Sequence, residues 1–129
     1  KLMDREACDR IKTKVDKFQG YVLKADSAEP KTITTYRRYG LNIFGAKKSR
    51  DSVNYGIKWL QGLNHIYIDR RRCPNTYREL INYEYERNKD GEFISAYPDK
   101  NNHAIDAIRY AFEADMPAKN KITPIRVNY

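Results

Sequence analysis

Helical stripes and short β-prone runs alternate three times along this chain, and that alternation constrains its fold more than any other feature. Cys8, Ile11, Val15 and Phe18 recur at spacings of three, four and three, which is one apolar stripe of a helix. Lys12, Lys14 and Lys17 fall largely off the stripe, and Gly20 closes the helix. Residues 21–25 are short, β-prone and mostly apolar, so they read as a buried strand that stops at Asp26-Ser27-Ala28-Glu29-Pro30. Pro30 fits the first turn of the next helix, where a missing N–H costs nothing. Ile33, Tyr36 and Arg37 continue that helix to Gly40.

A second strand is expected over 41–46. Ser49 or Asp51 caps a third helix with Val53, Ile57 and Leu60 as its stripe, and a third strand is expected over 65–69. Pro74-Asn75 opens a short helix carrying Tyr77, Leu80 and Ile81. After it, Tyr83, Tyr85 and Arg87 alternate with Glu84 and Glu86. Asn88-Lys89-Asp90-Gly91 then marks a turn before Glu92-Phe93-Ile94, the pattern of a β-hairpin. The last helix is expected from Asn102 to Asp115, burying Ala104, Ile105, Ile108, Ala111 and Phe112. Pro117 stops it, and 116–129 reads as an extended tail of a single domain spanning 1–129. Helices alternating with strands in this way give an α/β protein with a parallel sheet covered by helices.

Charge narrows the partners. Twenty-five Lys and Arg against seventeen Asp and Glu leave a net charge of +8 over 129 residues, which favours a polyanion. The basic residues cluster as Arg37-Arg38, as Lys47-Lys48 with Arg50, and as Arg70-Arg71-Arg72, the last two groups being the candidate nucleic-acid contacts. No apolar run reaches the roughly 18 residues of a membrane span, and the opening Lys1-Leu2-Met3-Asp4 has no signal-peptide pattern. Cys8 and Cys73 make neither a disulfide framework nor a zinc pattern, so reduced thiols in a cytoplasmic setting are expected. No Gly-rich phosphate loop is present. The eleven tyrosines and His65 read first as packing residues, and Cys73 as inert.

Two aspartates stand where chemistry is expected. Asp26 follows an apolar strand and precedes a helix, the edge at which open α/β sheets gather ligands, although a capping role fits the same position. Asp106 lies inside Ala104-Ile105-Asp106-Ala107-Ile108, where a lone carboxylate is costly unless paired or metal-bound. His103, three residues earlier, offers an imidazole from the same side of the helix. A His–Asp contact, or an arginine reaching Asp106 from another element, satisfies the pattern equally. Hard carboxylates with one histidine suit Mg²⁺ or Mn²⁺ better than zinc. Together with the basic surface they suggest metal-assisted attack of water on a phosphodiester, with two ions roughly 3.5–4 Å apart. Glu29 and Asp69 are the reserve carboxylates.

At these residues the sequence resembles the large terminase subunits of tailed phages and their PBSX-like prophage relatives. Val22-Leu23-Lys24-Ala25-Asp26-Ser27-Ala28-Glu29-Pro30-Lys31 resembles that family's second acidic motif. Lys89-Asp90-Gly91, followed by Asp99-Lys100-Asn101-Asn102-His103-Ala104-Ile105-Asp106-Ala107-Ile108-Arg109-Tyr110-Ala111, resembles its C-terminal motif. The resemblance implies an α/β, RNase H-like (ribonuclease H-like) nuclease domain with a mixed sheet flanked by helices. It implies an Mg²⁺- or Mn²⁺-dependent endodeoxyribonuclease that cuts concatemeric double-stranded DNA, with Asp26 and Asp106 as the second and third catalytic aspartates. His103 is then the histidine beside the metal. The implied partners are the terminase ATPase domain, the small terminase subunit and the portal protein, and the implied setting is the host bacterial cytoplasm, apart from the mature virion.

One departure bears on activity. The family's first catalytic aspartate lies in an initial strand upstream of a β-meander, whereas this chain opens on the helix that follows. The expectation is that this strand and its aspartate lie in a segment outside the sequence or in another chain. The 129-residue piece alone is then expected to cut weakly or not at all. A catalytically incomplete DNA-binding or docking module of the packaging motor is the alternative reading.

Overall fold

The computed structural model describes residues 3–15, 20–49, 51–94 and 96–117, so Phe18, Arg50 and the tail from 118 onward lie outside the described residues. Among the described residues, five helices and two strands follow in the order α1 (Asp4–Val15), β1 (Leu23–Ala25), α2 (Pro30–Arg38), β2 (Ile43–Gly45), α3 (Ser52–Gln61), α4 (Pro74–Asn82) and α5 (His103–Ala111). Local chemistry explains the helix starts. Pro30 and Pro74 occupy the first turns of α2 and α4, and Asp4 and Glu6 complement the positive end of α1.

β1 and β2 pair in parallel with Leu23 opposite Ile43, Lys24 opposite Phe44 and Ala25 opposite Gly45. The central core joins Cys8 of α1, Ile33 of α2, Leu41 and Ile43, with Ile11, Val15, Leu23, Ala25 and Tyr36 packed on it. Alternation along β1 turns Leu23 and Ala25 toward that core. Lys24, between them, reaches instead to Glu113, two residues beyond α5. α5 packs against β1 and α4, so the helix carrying Asp106 is seated on the strand that ends at Asp26.

Residues 65–69 form no strand. Ile66 is 47% exposed and Tyr67 89% exposed, because β propensity is realised only where a neighbouring edge offers hydrogen bonds. In a parallel ladder alternate residues face the partner. Asn42 O and the Ala46 N–H bond to β1, which turns the polar groups of Ile43 to the outer edge. There the Arg37 Nε and Nη2 donate to the Ile43 carbonyl at 3.2 and 3.0 Å, and the Ile43 N–H donates to the Leu41 carbonyl at 3.0 Å. The Ile43 groups on the outer edge are thereby satisfied locally.

The expected hairpin forms as a single antiparallel pair, Arg87 with Phe93, closed by a turn with Gly91 at φ +80°. The Asn88 side-chain oxygen accepts the N–H groups of Asp90 and Glu92, which fixes the turn from inside. α5 ends at Ala111 rather than Asp115, and Ala111 and Phe112 are exposed, the Phe112 ring lying 5.9 Å from that of Trp59. Its buried residues are Ile105 and Arg109. Val53, expected on the α3 stripe, is 41% exposed, whereas Ile57 and Leu60 are buried. Among the described residues no helix is long and apolar enough to cross a membrane.

Candidate active site

The parallel pair places Asp26 and Lys48 just beyond the carboxyl ends of β1 and β2, and α5 brings Asp106 to the same place. The result is a cleft of about 370 Å³ lined by Asp26, Lys48, Asp99, Asn102, Asp106 and Arg109, with Tyr83 and Tyr97 also on its wall. The Lys48 ammonium lies 2.5 Å from Asp26 Oδ1, which also accepts the Ala28 N–H at 2.9 Å. These contacts, Lys48 foremost, hold the Asp26 carboxyl below its usual range, and the same pair raises the Lys48 ammonium above its own. Asp26 therefore fixes the turn that leaves β1 but does not cap α2, whose cap position is Glu29 with no side-chain cap bond, and its carboxylate still opens on the cleft.

Asp106 is held from its own helix. Arg109, one turn on, donates from Nη2 to Asp106 Oδ1 at 2.6 Å, and its side chain is only 6% exposed. Asn102 spans two carboxylates, its side-chain amide lying 3.4 Å from Asp99 Oδ1 and 3.5 Å from Asp106 Oδ2. Glu79 of α4 accepts the N–H groups of Ala104 and Ile105 at 2.7 and 3.2 Å, so a carboxylate from another helix caps the first turn of α5.

Beside the cleft lies Glu113. Burial opposes its ionisation, but the Lys24 ammonium at 2.6 Å and the Lys47 N–H at 2.7 Å outweigh that and hold its carboxyl below the usual range. Burial raises the Tyr83 and Tyr97 phenols, which keeps this aromatic wall neutral.

The structure thus brings Asp26, Asp106 and Lys48 together. His103 is exposed and opens on an adjacent, larger cavity of about 1010 Å³ that it shares with Arg78, Glu79 and Lys100. The two cavities meet at Tyr83 and Pro98, whose hydroxyl and carbonyl are joined at 2.9 Å. The Lys47 side chain lines a third cavity next to Glu113. Arg70, Arg71 and Arg72 line none of these cavities; they sit on a turn made by Asp69, whose Oδ1 accepts the N–H groups of Arg71 and Arg72. Arg50 lies outside the described residues. The reserve carboxylates are spent locally, Asp69 in that turn and Glu29 on the Thr32 hydroxyl of α2.

Sequence reasoning missed Asp99, Asn102, Arg109 and Glu79. Only Arg109 was visible beforehand, because residues three apart on a helix are neighbours. The oxygen donors are of the hard kind that Mg²⁺ and Mn²⁺ take, and to that extent the cleft fits a divalent cation. Among the described residues no three His, Cys, Asp or Glu side chains converge closely enough to enclose an ion.

A parallel strand pair covered by helices, with one aspartate at a strand end and another on a packed helix facing the same cleft, puts the described residues in the α/β class. The chain belongs to the terminase RNase H-like domain family, whose model matches residues 2–114. It is 47% identical over 103 residues to the large terminase subunit of Bacillus phage SPP1, a match covering 78% of this chain and 24% of that protein. To the PBSX phage terminase large subunit of Bacillus subtilis (strain 168) it is 30% identical over 120 residues, covering 90% of this chain and 27% of the other. This chain therefore spans about a quarter of the length of these curated relatives. The crystal structure of the large terminase nuclease domain from bacteriophage SPP1, with bound Mn, superposes with a TM-score of 0.77 at 42% identity, covering 90% of this chain and 66% of that one.

Proposed function

We propose that this chain is the cutting domain of a phage DNA-packaging terminase, hydrolysing phosphodiester bonds of concatemeric double-stranded DNA with Mg²⁺ or Mn²⁺. The observation that carries the reading is the meeting of Asp26 and Asp106, from the two motif strings, at one cleft. Asp26 and Asp106 would hold the divalent cations, which when bound supply Lewis acidity at the phosphate and a metal-activated water. Lys48, at the rim, offers its ammonium to the phosphate charge, and Tyr83 and Tyr97 wall off one side. His103 opens on the neighbouring cavity rather than on the cleft, so its part in this reading is proton exchange with the reacting groups through intervening water. Lys47, Arg50, Arg70, Arg71 and Arg72 contact the DNA backbone away from the scissile bond, and Lys48 is the DNA-contacting cation next to it. The full-length protein works with its ATPase domain, the small terminase subunit and the portal in the host cytoplasm.

The test is nicking of supercoiled plasmid in Mn²⁺ by the full-length protein carrying this chain. Asp106→Ala should abolish nicking while retention of DNA on a filter stays largely intact. Undiminished nicking by that variant refutes the assignment. The alternative, a docking module without catalysis, draws on the lack of three converging ligands among the described residues. It requires that the full-length protein itself not nick.

A further inference from the structure

Arg109 is the most confined charged side chain among the described residues, and the reaction as read so far does not use it. The residue is 5% exposed. Nη2 donates to Asp106 Oδ1 at 2.6 Å and Nη1 to the Ser52 carbonyl at 3.4 Å, while Nε, also buried, has no hydrogen-bond partner. Gly56 of α3 makes the room: a Cβ there would stand 2.8 Å from Arg109 Cδ and 3.2 Å from Cγ. Burying a guanidinium with one N–H unpaired is a poor way to gain stability, since an apolar side chain of similar volume commonly does as well. Its geometry instead ties α5 to the first residue of α3 and pins one oxygen of Asp106.

We infer that Arg109 is a positioning residue that holds the Asp106 carboxylate in its metal-binding orientation. This rests on the reading of Asp106 as a metal ligand. A free aspartate samples several rotamers, and a ligand that must be ordered on binding loses affinity. Outer partners of metal ligands typically contribute 10- to 100-fold to metal affinity. The opposite effect is repulsion between the guanidinium and the incoming cation. Since Arg109 already shares its charge with Asp106 through a close bond, fixing the ligand outweighs the repulsion.

The experiment is a titration of the nucleotide-free, full-length protein with Mn²⁺, following the free-ion signal by electron paramagnetic resonance. Wild type, Arg109→Met, Arg109→Lys and Asp106→Asn are compared, with thermal unfolding in chelator as the control for folding. Arg109→Met should weaken Mn²⁺ binding about tenfold. Arg109→Lys, which keeps the charge and loses the planar fork, should weaken it by a smaller but measurable factor. Mn²⁺ binding by Arg109→Met as tight as wild type, or tighter, overturns the inference. If Arg109→Met does not fold, Arg109→Lys decides, and wild-type affinity there overturns it equally. Asp106→Asn separates the two levels. Unchanged binding in that variant defeats the reading of Asp106 as a ligand, whereas loss there with unchanged Arg109 variants defeats only the role of Arg109.

Discussion

Asp26 and Lys48 face each other across 2.5 Å at the carboxyl ends of two parallel strands whose last residues, Ala25 and Gly45, are in register. The pair follows from that register, since each side chain leaves its strand within three residues of the ladder. Its bond is the leading cause of the lowered Asp26 carboxyl, ahead of the Ala28 N–H. Replacing Lys48 with Met should therefore move the Asp26 titration upward, toward the ordinary value of 3.8. The sign follows from the depressed carboxyl: the stabilisation is present above the ordinary value and lost as pH falls through the lowered one. With side chains 44% and 53% exposed, solvent screens the pair, so the change should register in the carboxyl carbon shift by NMR rather than in the melting temperature. An Asp26 titration unmoved by Lys48→Met refutes the pairing.

Gly56 offers a second test, one of packing. A methyl group there cannot be relieved by swinging a flexible end, because the atoms it meets, Cδ and Cγ, belong to the buried stem of Arg109. Helix propensity alone would make Gly56→Ala stabilising by up to about 1 kcal/mol. Overpacking should reverse the sign and cost about 1–3 kcal/mol. Urea denaturation decides between them, and a stabilised variant means the close approach is not present in solution.

The helices were legible because their signals are local: an apolar stripe, a proline at the first turn, a glycine beyond the last. Residues 65–69 were misread because a strand is a relation between two segments, and Arg37 had already taken the outer edge of β2. Likewise Ala111 and Phe112 carried the right period for burial but are exposed, although Glu113 just after them still reaches Lys24 of β1. For the candidate site, each aspartate was suspect from its own surroundings, Asp26 at a strand end and Asp106 in an apolar helix. Their convergence depended on the packing of α5 on β1, which no spacing encodes. Asp99 and Asn102 sit in an irregular stretch with no periodicity to interpret, and Glu79 acts on a helix 24 residues further along the chain.

Glu113 predicts a pH dependence. Its carboxylate is 16% exposed and joins Lys24 of β1 to the backbone that leaves β2, so it binds both strands to the end of α5. Glu113→Gln removes the charge and should cost about 1.5–3 kcal/mol near neutral pH, the range for hydrogen bonds to charged groups. Because the carboxyl is lowered from 4.5, that contribution is present above 4.5 and fades as pH falls through the lowered value. Wild type and variant should therefore differ in urea midpoint at pH 7 and converge in acid. A gap that stays constant down to pH 2 rules out the charge as its source.

Glu79 caps α5 from outside that helix. The first four N–H groups of a helix lack partners within it, and Asn102, at the cap position, makes no side-chain bond to them. Glu79 takes two, from Ala104 and Ile105, and its charge complements the positive end of the helix. Replacing it with Ala should cost about 1 kcal/mol, the usual value of a lost cap. The effect should concentrate in the first turn, which carries His103 and Asp106. Amide exchange at Ala104 and Ile105 should accelerate by about fivefold, as that free energy requires, while amides in α1 keep their rates relative to global stability. Glu79→Gln, which retains an acceptor oxygen without the charge, should fall between wild type and Glu79→Ala. Unchanged exchange at both amides in Glu79→Ala would mean that α5 is ordered by its packing on β1 alone, and that Glu79 has no part in fixing the turn that presents Asp106.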